Sequence, residues 1–194
     1  MKVLIACEYS GIVRDAFTKK GHYAMSCDLL PTESPGPHYQ GNVFDVINDG
    51  WDLMIAHPPC TFLSYAANRV WNTPGRAERR EEAIEFVKAL YNCEIPHVVI
   101  ENPLGELIKW RPYDQKLNPF NFGDAQAKRI CLWLKNTPPL IYTCINYPKP
   151  QFYPSGNKKH CNDIMGIGSG ETRRKNRAKF FPGIAEAMAN QWGG

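Results

Sequence analysis

The stretch from Asp52 to Cys60, DLMIAHPPC, restricts the possible folds of this chain more than any other. Leu53, Met54, Ile55 and Ala56 form an apolar run too short for a helix and uninterrupted enough for a strand buried on both faces. That is the pattern of a parallel sheet. Pro58 and Pro59 must end the strand, because proline has no N–H to give to a sheet ladder. The stiff turn delivers Cys60 just past the carboxyl end of the strand, where open α/β sheets bind ligands. A second apolar run, His97 to Ile100, ends in Glu101, Asn102 and Pro103. Two strands thus end in reactive side chains braced by proline, a thiol and a carboxylate.

The rest of the chain supplies the other parts of such a sheet. Lys2 to Ala6 (KVLIA) is a strand; Cys7 to Gly11 is a polar turn; Ile12 to Lys20 has a helical pattern stopped by Gly21. This is an opening βα unit with its turn available to a ligand. His22 to Ser26 forms a second strand, and Asp28 beyond it stands where an acidic residue binds ribose hydroxyls. Leu30 to Gly41 reads as loop, and Gly41 to Ile47 as an edge strand or turn presenting Asp45. Thr61 to Gly75 predicts a mobile loop over the site. Arg76 to Tyr91 is a helix with Ala83, Phe86, Val87 and Leu90 inward and Arg79, Arg80, Glu81 and Glu82 on a solvated face. Leu104 to Gly123 shows little periodicity. Lys128 to Leu134 reads as a strand, Leu140 to Tyr142 as one more, and Phe180 to Trp192 as a closing helix with Pro182 at its start.

At 194 residues the chain has the length of a single domain. No apolar run is long enough to span a membrane and the N-terminus carries no signal-peptide pattern, so no membrane partner is expected. Seven cysteines, an odd number spread along the chain, indicate reduced thiols and a cytoplasmic location. Cys7, Cys27 and Cys93 read as structural. Cys131, Cys144, His160 and Cys161 could make a zinc site but lack a C-x-x-C pair, and no metal is expected. The net charge of +4 permits a polyanionic partner. Residues 143–177 are rich in Lys and Arg and poor in Asp and Glu, which predicts an extended basic loop. Tyr147, Phe152 and Tyr153 stand among its cations, a mixture suited to a polynucleotide.

Taken together, HPPC with Thr61, the Ile100-Glu101-Asn102 run, the opening ACEYSGIVRDAF, Gln126-Ala127-Lys128 and the closing FFPGIAEAMANQW resemble the motifs of the DNA (cytosine-5) methyltransferases. The resemblance is closest to their small phage-borne members and covers nearly the whole chain. It implies a Rossmann-like α/β fold with a mostly parallel sheet and helices on both faces. It also implies S-adenosylmethionine as methyl donor, DNA as partner and, for a phage-borne enzyme, the bacterial host cytoplasm. By the same resemblance Cys60 is the nucleophile, Glu101 acts at the cytosine N3, and Lys128 stands where the family has arginine. The implied cofactor contacts are Glu8, Ser10, Gly11, Asp28, Asp45 and Pro58. Asn102, Arg129, Lys158, Lys159, Arg173, Arg174, Lys175 and Arg177 are the implied DNA contacts. Only the basic loop 143–177 stands where larger members carry a target-recognition domain. Two other readings remain open on the same residues. One is cysteine-dependent modification of a free pyrimidine nucleotide; the other is a catalytically silent relative that binds nucleic acid or a partner protein.

Overall fold

A computed structural model describes residues 1–66, 71–126, 128–144, 155, 170 and 179–194. Strands β1 (Lys2–Ala6), β2 (Tyr23–Asp28), β3 (His38–Gln40), β4 (Leu53–Ala56), β5 (His97–Asn102), β6 (Gln115–Leu117) and β7 (Ile130–Lys135) make one sheet in the order β3-β2-β1-β4-β5-β7-β6. β1 to β5 run parallel, and β7 runs antiparallel to both of its neighbours. This is the Rossmann 3-2-1-4-5-6 order with one reversed strand inserted before the last. It is the mostly parallel, Rossmann-like α/β fold that the sequence implies. Among the described residues the α-helices are α1 (Ile12–Lys19), α2 (Arg76–Tyr91), α3 (Leu107–Trp110) and α4 (Pro182–Trp192), with short 3-10 turns at Val43–Asp45 and Pro119–Phe122.

Both faces of the sheet are covered, which explains the uninterrupted apolar runs. Val3, Ile5, Leu53, Ile55 and Val99 point to one side and pack with Val13 and Phe17 of α1 and Ile184 and Met188 of α4. Leu4, Ala6, Met54, Val98 and Ile100 point to the other and meet Val87 and Leu90 of α2. Leu53, Met54 and Ile55 are at most 1% exposed, and each such burial contributes roughly 1.5–3 kcal/mol. Among the described residues no helix is long and apolar enough to cross a membrane.

Three local expectations are corrected by long-range pairing. The segment read as loop before Gly41 contains β3, because His38 to Gln40 ladder onto the end of β2 and Ser26 Oγ meets His38 Nδ1 at 2.8 Å. The aperiodic stretch after Leu104 contains α3 and β6, and β6 is a strand only because β7 lies beside it. Leu140 to Tyr142 is not a strand. The Gln115 side-chain amide takes both backbone groups of Leu140 at 2.8 Å, and Gln191 does the same for Ile141. Of the basic segment 143–177, only Thr143, Cys144, Ser155 and Gly170 are described.

Candidate active site

β4 and β5 are neighbours in register, Ala56 opposite Ile100, so the residues that follow them emerge side by side. His57 Nδ1 lies 3.2 Å from Glu101 Oε2. Asn102 Nδ2 donates to the Pro58 carbonyl at 2.8 Å, tying the proline turn of one strand to the end of the next. The turn then tightens: Leu63 and Ser64 donate their N–H groups to the Cys60 carbonyl at 3.1 and 2.9 Å. Leu63 is fully buried beneath it, while Cys60 is exposed. A thiol at an open strand end, one strand from a buried carboxylate, is therefore a product of sheet order.

Glu101 is buried and its Oε2 faces His57. Burial alone would raise its pKa. The His57 hydrogen bond and the positive charges of Lys128 and His57 outweigh it and hold the carboxyl below the usual range. Lys128, half-buried, lies 5.3 Å over the Phe181 ring, and the His57 ring centroid is 4.5 Å from that of Phe180. The closing FFPG run thus reaches the site from the far end of the chain. Its Gly183 packs where a Cβ would collide with the Phe122 carbonyl, and its N–H donates to Asp124 Oδ2 at 3.1 Å.

A cavity of about 530 Å³ opens at the carboxyl ends of β1 and β2, and Pro59 and Phe62 of the loop after β4 reach its wall. Asp28 lines it, as do Cys7, Pro59, Phe62, Arg79 and Phe86. Burial is the main cause that pushes the Cys7 thiol up to about 12 and the Cys27 thiol, also on the wall, up to about 11, with the Asp28 charge adding to it. Cys7 has φ 58, a left-handed conformation rare outside glycine, at the point where the chain leaves β1. Phe86, expected in the core, faces this cavity and meets Phe44 edge-on at 5.7 Å.

The structure brings Cys60, Glu101, Asn102 and Lys128 to one end of the sheet, while Arg129 is exposed. Asp28 is separately placed on the cavity wall. Glu8 and Ser10 are not among the residues lining this cavity. Glu8 Oε1 accepts from Val13 N at 2.8 Å and Oε2 from Arg14 N at 3.3 Å, and Ser10 Oγ donates to Glu8, so the turn around Gly11 caps α1. Asp45 is exposed and accepts from the Tyr39 hydroxyl at 3.0 Å; Pro58 is buried under Asn102. Lys158, Lys159, Arg173, Arg174, Lys175 and Arg177 lie outside the described residues, as do His160 and Cys161. Among the described residues no cluster of His, Cys, Asp and Glu could hold a metal ion.

Sequence reasoning gave no role to His57 or Phe180, although a histidine at a strand end was a usable signal. It also took the α2 charges for a solvated face, and Arg79, Glu81 and Glu82 are exposed while Arg80 is half-buried. Arg76 and Arg79 lie over Phe62 at 4.9 and 5.7 Å, and Arg80 lies 3.8 Å over Trp71 while donating to its carbonyl. The described ends of the loop expected to be mobile are held by this row of guanidinium groups, since an arginine over an aromatic face is attracted by the ring quadrupole.

No family model matches the chain, and no curated protein matches it in sequence. Among solved structures it is similar to the Entamoeba histolytica methyltransferase EhMeth, with 12% identity, a TM-score of 0.48, and 89% of this chain and 62% of that one covered. It is also similar to a Spodoptera frugiperda DNMT2 variant, with 13% identity, a TM-score of 0.41 and coverage of 88% and 60%. An rRNA methylase from Escherichia coli matches with 12% identity, a TM-score of 0.38 and coverage of 69% and 56%. The chain spans about three-fifths of the length of these proteins.

Proposed function

We propose that this chain is an S-adenosylmethionine-dependent methyltransferase that acts on cytosine C5 in DNA. The observation that carries the reading is the pairing of Cys60 and Glu101 at the ends of adjacent parallel strands, with Asn102 locking one end to the other. Cytosine C5 is a poor nucleophile until a group adds at C6, and a thiolate both adds and leaves readily. Addition moves electrons toward N3, where Glu101 is placed to deliver a proton or a hydrogen bond. Lys128, whose charge already reaches Glu101, suits the base O2. The C5 proton is lost and the thiolate expelled to end the cycle. Duplex DNA hides C6 within the stack, so the base must be flipped out to reach Cys60.

The cavity fits the cofactor. About 530 Å³ is an ordinary size for a nucleotide-like ligand, Asp28 ends the second strand where ribose hydroxyls are bound, and Phe62 and Phe86 offer rings to a base. When bound, S-adenosylmethionine supplies an electrophilic methyl group. Asp28→Ala should weaken its binding in calorimetry and leave DNA affinity unchanged.

The deciding experiment incubates the protein with labelled S-adenosylmethionine and mixed-sequence DNA, RNA or free cytidine nucleotides, followed by nucleoside mass analysis. The expected product is 5-methylcytosine in DNA. DNA carrying 5-fluorocytosine should form a covalent adduct, since fluorine blocks the final elimination, and Cys60→Ala should lose it. Full turnover by Cys60→Ala would refute the mechanism.

A further inference from the structure

We propose that Phe62 is a positioning residue that couples occupancy of the cavity to the placement of Cys60, with Arg79 of α2 holding its ring at the cavity wall. This rests on the S-adenosylmethionine reading of the cavity above and adds to it a link between cofactor and nucleophile. Phe62 lines the cavity and stands two residues after Cys60. The chain between and just beyond them is one hydrogen-bonded turn, in which the Leu63 and Ser64 N–H groups donate to the Cys60 carbonyl at 3.1 and 2.9 Å. In so short a turn, fixing the ring at one position also fixes the thiol at another.

The three sides of this turn meet different surroundings. Leu63 is fully buried, and its carbonyl accepts from Glu106 N at 2.8 Å, so that side is anchored to the protein. Cys60 is exposed. Phe62 is half-buried and faces the cavity, so it is the side on which a bound ligand bears. Helix α2 grips the same turn. Arg76 lies 4.9 Å over the Phe62 ring and donates to the Thr61 carbonyl. Arg79 lies 5.7 Å over the ring and lines the cavity itself. A guanidinium over an aromatic face is attracted by the ring quadrupole, which holds the ring without burying it in the core.

A ligand biases a segment only as far as it contacts one arrangement of that segment better than the others. Phe62 supplies such a contact, because its ring touches both the ligand space and the nucleophile turn. The functional consequence is order of events: Cys60 takes its working position in a protein that already holds the methyl donor. A ring that merely walls the cavity would add affinity and leave the turn unaffected.

The test is amide hydrogen exchange of the full chain, with and without saturating S-adenosylhomocysteine, the demethylated form of the donor. Two segments are compared. The Leu63 and Ser64 amides report on the nucleophile turn, and the Phe44 and Asp45 amides, bonded to Asn42 of the cavity wall, report on occupancy. In the wild type both should slow on binding, the Leu63 and Ser64 amides by roughly 5–150-fold. In Phe62→Ala, again at saturation, Phe44 and Asp45 should still slow while the response at Leu63 and Ser64 is lost. Phe62→Tyr, which keeps the ring, should restore it. Arg79→Gln changes an exposed helix position, so folding is not at stake; it should lose most of the response, and Arg79→Lys should keep it. A full response at Leu63 and Ser64 in Phe62→Ala would overturn the proposal, as would a wild type in which only Phe44 and Asp45 slow. If Phe62→Ala does not fold, Arg79→Gln decides alone, and an undiminished response there overturns the proposal. A wild type that binds no S-adenosylhomocysteine in calorimetry and slows in neither segment refutes the cofactor reading instead.

Discussion

Asn102 donates one hydrogen bond of 2.8 Å to the Pro58 carbonyl while only 1% of its surface is exposed. That bond sets where the proline turn, and hence Cys60, stands relative to Glu101. Removing it leaves a buried carbonyl without a partner, at a cost of about 1–3 kcal/mol. Asn102→Ala should therefore lower the melting temperature and reduce the rate of adduct formation with 5-fluorocytosine DNA. A rate unchanged in a destabilised variant would show that Cys60 is positioned by something else. Residue-scale placement was partly legible in advance: Cys60 and Glu101 stood out as strand-end side chains because each follows an apolar run and abuts proline. His57 did not stand out, because what marks it is a contact with a residue 44 positions away.

At the scale of elements, the turn after β5 presses directly on the loop after β4. Gly105 forms an isolated bridge with Ser64, and a Cβ on it would collide with the Leu63 carbonyl. Glu106 N donates to that same carbonyl at 2.8 Å. Gly105→Ala must push the two loops apart, and forced overpacking costs roughly 1–3 kcal/mol. The expected outcome is a drop in kcat larger than the loss of stability accounts for, with S-adenosylmethionine affinity retained. Equal losses in all three measurements would make Gly105 a packing residue only. Helix α2 runs over the span its periodicity indicated, Arg76 to Tyr91. Its charged row could not be assigned in advance, because an arginine looks solvated until the aromatic partner, here Phe62 or Trp71, is brought beneath it.

For the whole molecule, the buried thiols fix a pH window. Cys7, Cys27 and Cys131 are raised by burial from 9.0 to about 12, 11 and 11. Their folded values exceed the unfolded one, so the stability they contribute is full below pH 9. It is lost as the pH rises toward 11, where the unfolded chain has released protons that the folded chain keeps. Each thiol contributes a slope of at most about 1.4 kcal/mol per pH unit. Thermal stability should fall steadily above about pH 9, and the Cys27→Ala, Cys131→Ala double variant should show a shallower decline. An identical decline would assign it to other groups. The basic segment 143–177, expected to hold DNA, is tested by salt. Each phosphate contact adds a slope of about −0.9 to log K against log salt, so changing Arg173, Arg174 and Lys175 to Ala should flatten it by up to about 2.7. An unchanged slope would mean that DNA lies elsewhere.

The sequence by itself determined what local physics controls. Apolar runs stopped by proline made strands of Leu53–Ala56 and His97–Asn102 and set a thiol and a carboxylate at their ends. Helical periodicity made α2 and α4. Only the tertiary structure decided which strands are neighbours, and so that the turn carrying Cys60 emerges beside the strand end carrying Glu101. It also decided that Glu8 caps α1 instead of lining the cavity, that β6 exists because β7 reverses beside it, and that Phe180 meets His57. The physical reason is the same in each case. A hydrogen bond or ring contact between residues tens of positions apart leaves no periodic trace in either segment, and forms only when the sheet brings both partners together.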